Sequence, residues 1–416
     1  MILATGATWG ICGAATAAVI TRPLRLPEAI WAVLGAVLLV LLGLMPIPAA
    51  LGAVGKGLDV YLFLIGMMLL SETAREQGLF DWVAATAAIN AKGSSTRLLL
   101  LVYLTGIVTT TFLSNDATAV VLTPAVYAAA RKAKAEPLPL LFACALIANA
   151  ASFVLPISNP ANLVLYGGKM PSLGTWFGSF ALPSLAAIAV TYAMLRWVER
   201  KRLAAPCASD VTREPLSRGG KLALGGIVAT AVLLVGVSAF DLPLGAPTCF
   251  AGVATMLGVC GFTRSSPLKL AGAISWSVLP LVAGLFVLVE ALDRTGVIAQ
   301  VAAALRTASA NPTQGAAAAG TILAFASNVM NNLPAGLVAS TAVAQAHPPR
   351  LIVDALLIGV DLGPNLSITG SLATILWLQA IRREGEDVGF WSFLKVGAAT
   401  MIPALAAALG ARLLIG

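Results

Sequence analysis

Eight stretches of this chain stay apolar for the length of a bilayer crossing, near 2 to 20, 28 to 46, 58 to 73, 176 to 197, 221 to 240, 245 to 262, 275 to 292 and 390 to 415. A helix needs about 20 such residues to span the hydrocarbon core, and within that core every backbone polar group must be bonded inside the protein. Runs this long without alternation read as helices, not strands. Composition agrees: 59% of the 416 residues are hydrophobic and 11% charged, with mean hydropathy +0.91, against roughly 45 to 50% and 25% in soluble domains. The reading is an all-α polytopic membrane protein. The N-terminus has neither a charged region nor a cleavage motif, so residues 2 to 20 read as a first span and not a removed signal.

Four further apolar segments are interrupted. Residues 97 to 131 and 312 to 346 carry Phe112-Leu-Ser-Asn-Asp116 and Val329-Met-Asn-Asn332-Leu-Pro334 at their centres and read as re-entrant helical hairpins. Residues 138 to 168 and 350 to 381 are broken by Ser158-Asn159-Pro160 and by Gly363-Pro364 through Gly370-Ser371, where proline and glycine end a helix and free backbone groups for a ligand. The halves repeat: Gly66, Glu72 and Gly78 match Gly284, Glu290 and Gly296, and Asn115 matches Asn332. Each unit then has three spans, a hairpin, a broken span and a last span, an odd number of crossings. The expectation is about ten spans plus two hairpins in two inverted-topology repeats, 1–198 and 219–416, joined by a polar linker at 199–218. Inverted repeats with discontinuous helices are secondary-transporter architecture.

The net charge of +8 would point to nucleic acid in a soluble protein, but here the basic residues lie in loops between spans. With loops assigned alternately, twenty of the 26 Lys and Arg fall on one side; the other has Lys56, Lys169, Arg294, Arg306, Arg350 and Arg412. By the positive-inside rule the richer side is cytoplasmic and both termini are outside. The single His347 and the scattered Cys12, Cys144, Cys207, Cys249 and Cys260 match no metal or redox spacing, so no cofactor or metal is expected. A membrane-embedded enzyme would need a nucleophile with its base or a metal set, and neither is present.

Polar side chains in the interrupted segments are the candidate site. Short amides and hydroxyls both donate and accept, and helix ends at a break add free N–H and C=O groups. The candidates for substrate binding are Ser114, Asn115, Ser158, Asn159, Asn162, Asn331, Asn332, Gly370 and Ser371. Asp116 and Asp361 have no basic neighbour within their spans and are the candidate proton-coupling groups. Glu72 with Arg75, and Glu290 with Arg294, have salt-bridge spacing and read as structural helix ends. No Lys or Arg falls in the motifs, which favours a neutral polyhydroxylated solute over an anion.

The motifs FLSNDATAVVLTP at 112 to 124, ISNPANL at 157 to 163, SNVMNNLPAGL at 327 to 337 and GVDLGPNLSITGSLATILWL at 359 to 378 resemble the arsenite efflux permease family. That family sits within a larger ion-transporter group that includes sodium/proton and dicarboxylate carriers, and the resemblance runs over nearly the whole chain. It implies export of trivalent arsenic, and often antimony, as the uncharged trihydroxide in exchange for protons. It also implies an inner-membrane location and association with a cytoplasmic arsenite-stimulated ATPase. Where an acid is expected in the first broken helix to mirror Asp361, this chain has Asn149. A sodium-coupled carboxylate carrier or sodium/proton antiporter of the wider group is the alternative.

Overall fold

A computed structural model describes residues 2–166, 170–208, 214–240 and 242–416. Lys169, Arg213 and the middle of the linker lie outside the described residues. No strand occurs among those described. The first half runs α1 (Ile2–Thr21), α2 (Glu28–Leu41), α3 (Ile47–Lys56), α4 (Leu58–Glu76), α5 (Leu79–Asn90), α6 (Ser95–Leu113), α7 (Asn115–Ala117), a π turn over Thr118–Leu122, α8 (Thr123–Lys132), α9 (Pro137–Ala150), a 3-10 turn over Pro156–Ser158, α10 (Pro160–Tyr166) and α11 (Leu173–Val198). The second half runs α12 (Arg218–Ala239), α13 (Gly245–Thr263), α14 (Pro267–Ala273), α15 (Val278–Arg294), α16 (Val297–Ala308), α17 (Pro312–Met330), α18 (Asn332–Ala346), α19 (Arg350–Leu362), 3-10 turns over Gly363–Leu366 and Ile368–Gly370, α20 (Leu372–Arg383) and α21 (Phe390–Ile415). The second order copies the first.

Among the described residues, α1, α6, α11, α12, α13 and α21 are long and apolar enough to cross a membrane. The pairs α3 with α4 and α14 with α15 bend by 47° and 43° and bring the count to eight if each pair is one span. The run at 28 to 46 is shorter as a helix than its apolar length implies, because Gly43 (φ 70°) and Pro46 end α2 at Leu41 and start α3. The apolar helices α5 and α16, each of 12 residues, are additions to the sequence reading.

Each hairpin turns back on itself. The returning arm α8 packs against α5, and α18 against α16, so each return lies beside the helix that precedes the outgoing arm. The halves also clasp each other reciprocally: α4 packs on α13 and α15 on α2. Glycine makes both contacts close. A Cβ on Gly66 would collide with the Thr248 backbone, and one on Gly284 with Ala32. Gly78 (φ 72°) and Gly296 (φ 85°), the other matched pair, both open the helix after these spans in a backbone region that favours glycine. The ion pairs predicted by spacing form as well: Glu72 with Arg75, and Glu290 with Arg294 at 3.2 Å, the latter also held by Lys56 at 2.7 Å.

Candidate functional site

Both hairpin tips are built on one unusual residue. Ser114 (φ 117°, ψ 163°) and Asn331 (φ 72°, ψ 152°) sit where the outgoing helix stops and the returning one starts. Non-glycine residues rarely adopt this region, at a cost of about 1 to 3 kcal/mol each, and hold it only where the surroundings enforce it. The strained residue turns the chain so that the next side chain, Asn115 or Asn332, faces the other tip.

The two amides meet. Asn115, Asp116, Asn159 and Asn332 line one small cavity of about 10 Å³, closed by Leu64, Pro160, Val278, Leu333 and the first residues of α20, Leu372 and Ala373. That is about the room of a single water. A second cavity of about 100 Å³ shares Leu64, Asp116, Pro160 and Val278 with the first and leads to Glu72 near the end of α4. Its polar lining is Ser71, Glu72, Ser114, Asp116 and Ser275; the rest is apolar, including Phe63, Met67 and Met68. No Lys or Arg lines either cavity among the described residues.

The breaks place the acids. Asp361 is the last residue but one of α19, fully buried, and accepts a hydrogen bond from Asn159 Nδ2 at 2.8 Å; its Oδ2 has no partner. Asn159 Oδ1 accepts from Ala161 N–H at 3.0 Å, which fixes the amide with its NH₂ towards Asp361. Asp361 therefore reaches the cavity only through Asn159, whereas Asp116 lines both cavities directly. Asn149 occupies the matching last-but-one position of α9. It donates to Asn365 Oδ1 at 3.0 Å and Thr374 Oγ1 at 3.3 Å, so each broken helix is bonded across to the other.

Other candidates do different work. Ser158 donates to Thr111 O and accepts from Leu155 N–H, and Asn162 Nδ2 lies within 3.3 Å of the carbonyls of Ser152, Leu155 and Pro156; both hold the first break together. Asn331 caps α18 through Leu333 N–H and donates to Thr369 O. Ser371 caps α20, and Gly370 packs where a Cβ would strike Asn328 Oδ1 and Pro364. None of these five lines the two cavities. Sequence reading passed over Ser71 and Ser275, and Glu72, read as a helix end, borders the wider cavity. A repeat comparison singles out Glu72, but nothing in the sequence marks the two serines.

The citrate transporter family matches residues 16–363, most of the chain and both hairpins. The chain belongs to the citrate transporter family. Among relatives in this setting, an arsenical pump membrane protein of Yersinia enterocolitica is 29% identical over 83% of this chain and 84% of the relative. One from Escherichia coli is 28% identical over 91% and 92%. An uncharacterized transporter of Mycobacterium tuberculosis is 28% identical over 84% of each. The YdaH transporter of Alcanivorax borkumensis, described as having an unusual topology, superposes with TM-score 0.57 at 13% identity, covering 88% of this chain and 86% of that one. This chain and the YdaH transporter thus share a fold at low sequence identity, and the resemblance to arsenite permeases stands on named arsenical pumps.

Proposed function

We propose that this protein exports arsenite, and antimonite with it, as the neutral trihydroxide in exchange for protons by alternating access. The observation that carries this reading is the pair of adjoining cavities at the hairpin tips, the smaller lined by Asn115, Asp116, Asn159 and Asn332 and the wider, of about 100 Å³, by Ser71, Glu72, Ser114, Asp116 and Ser275, with no Lys or Arg on either. A trihydroxide needs donors and acceptors without a counter-charge, and amides supply both. A proton enters the cycle at Asp116, which faces both cavities, and Asp361 responds through Asn159. The named arsenical pumps among the relatives support the substrate.

On this reading the repeats 1–198 and 219–416 are inverted about the linker 199–218, and the strongly basic side is the cytoplasm. Both termini are then outside, in the inner membrane. The wider cavity ends at Glu72, near Lys269 and Glu76, which pair at 3.7 Å on the basic side. The wider cavity then belongs to the cytoplasmic half of the path. The basic loops are the surface for an arsenite-stimulated ATPase.

The family description favours a second reading, a sodium-coupled citrate or other carboxylate carrier. Three carboxylates without a facing Lys or Arg would be poorly held. Inverted vesicles decide between them. Arsenite accumulation that collapses with a protonophore and ignores sodium is the expected result; sodium-dependent citrate uptake without arsenite transport would overturn it.

A further inference from the structure

An apolar cavity lies away from the hairpin tips, a groove of about 640 Å³ between α5, α6 and α12. Leu101, Leu104 and Val108 of α6 form one wall, and Leu224, Val228 and Val232 of α12 the other. Both helices start beside the basic segment that joins the halves: Ser95 at the start of α6 donates to Ala205 O at 2.6 Å, and Arg218 opens α12. Arg97 stands one turn before Leu101 on the same face of α6. Lys221 stands one turn before Leu224 on the same face of α12. Both cations are exposed.

An apolar groove with cations on both walls at its starting end has the chemistry of a phospholipid, acyl chain along the walls and phosphodiester at the mouth. The length fits too. From Leu101 to Leu113, the last groove residue of α6, the helix rises about 18 Å, close to the roughly 15 Å of one leaflet's hydrocarbon. We propose that this groove binds an acyl chain of an anionic phospholipid, with the phosphodiester held by Arg97 and Lys221. The bound chain covers the outer face of α6, which ends at the strained Ser114, and so supports the first hairpin tip from its lipid side.

The test uses the intact transporter reconstituted in an equal mixture of phosphatidylglycerol and phosphatidylcholine, extracted in detergent, with retained lipid counted by native mass spectrometry. Phosphatidylglycerol should be retained in preference. Arg97→Ala with Lys221→Ala should reduce that preference by about thirtyfold, and Val228→Trp, which fills the groove, should reduce retention of both lipids. Retained lipid that mirrors the mixture in the wild type, or a preference untouched by the double substitution, overturns the proposal. So does a Val108→Cys variant that forms a disulfide-linked dimer in membranes, because the groove then belongs to a second copy of the chain.

Discussion

Asn331 and Asn332 are neighbours with the same side chain, yet Asn331 commits its amide to Leu333 N–H and Thr369 O while Asn332 turns to the cavity. The same division separates Asn162, bonded to carbonyls of the break, from Asn159, which lines the cavity. Asn332→Leu and Asn115→Leu should each cut arsenite efflux by at least about tenfold, the weight of one or two hydrogen bonds in a dry site, with little change in Tm. Asn162→Leu should do the reverse. It leaves buried carbonyls unsatisfied at about 1 to 3 kcal/mol each, so a fall in Tm in detergent precedes any specific loss of transport. Equal effects of all three on Tm would remove the distinction. Asp116→Asn should still bind arsenite but exchange it with no dependence on the pH gradient, read as efflux from vesicles at two external pH values; an unchanged dependence excludes Asp116 as the carrier. The residue types of the site were legible in the sequence because amides and acids are costly in apolar surroundings. Which amide serves the backbone and which the ligand was not, since that choice depends on where a broken helix leaves its carbonyls.

At the scale of elements, the breaks could be read because proline and glycine announce them. Pro364 cannot donate to the turn before it, and α19 stops at Leu362. The hairpins were legible as apolar arms around a polar centre. The short helices α3, α5, α14 and α16 were not, because none of them alone reaches the length that marks a span. What holds the spans together left a fainter trace, the matched glycines. Without a hydrophobic force between helices in lipid, association relies on close backbone approach at small residues. Gly66 of α4 and Gly252 of α13 face each other so closely that a Cβ on Gly252 would meet the Gly66 backbone. Gly252→Ala and Gly284→Ala should therefore each destabilise by about 1 to 3 kcal/mol through forced separation, while Gly258→Ala, whose Cβ meets nothing within 4 Å, should leave the melting curve in place. Equal melting of all three would mean that these helices do not rely on the close approach.

For the whole molecule, the two halves use one plan with unequal charge. Near the start of α19, Asp354 is fully buried and ion-paired to Arg412 at 2.8 Å and Arg350 at 3.4 Å, with Tyr166 donating at 2.8 Å. The three basic groups Arg350, Arg412 and Lys56 all belong to the side that the loop count finds poor in cations, and in the structure each is engaged with an acid. On the richer side Arg22, Arg75, Arg202, Lys269 and Arg382 are paired with acids in the same way. The orientation argument therefore keeps the full count of loop Lys and Arg, because the positive-inside rule concerns loop cations near span ends and owes little to acids. The proposed topology, five crossings in each half, puts the two ends of the chain on the same side, away from the basic loops. Alkaline phosphatase joined after Gly416 should then be active in bacterial cells and inactive when inserted in the 199–218 linker, with a fluorescent-protein fusion giving the opposite pattern. Activity at the linker and silence at Gly416 would reverse the orientation, and with it the side on which the cavity at Glu72 lies; activity at both would break the odd number of crossings on which the inversion of the second repeat depends.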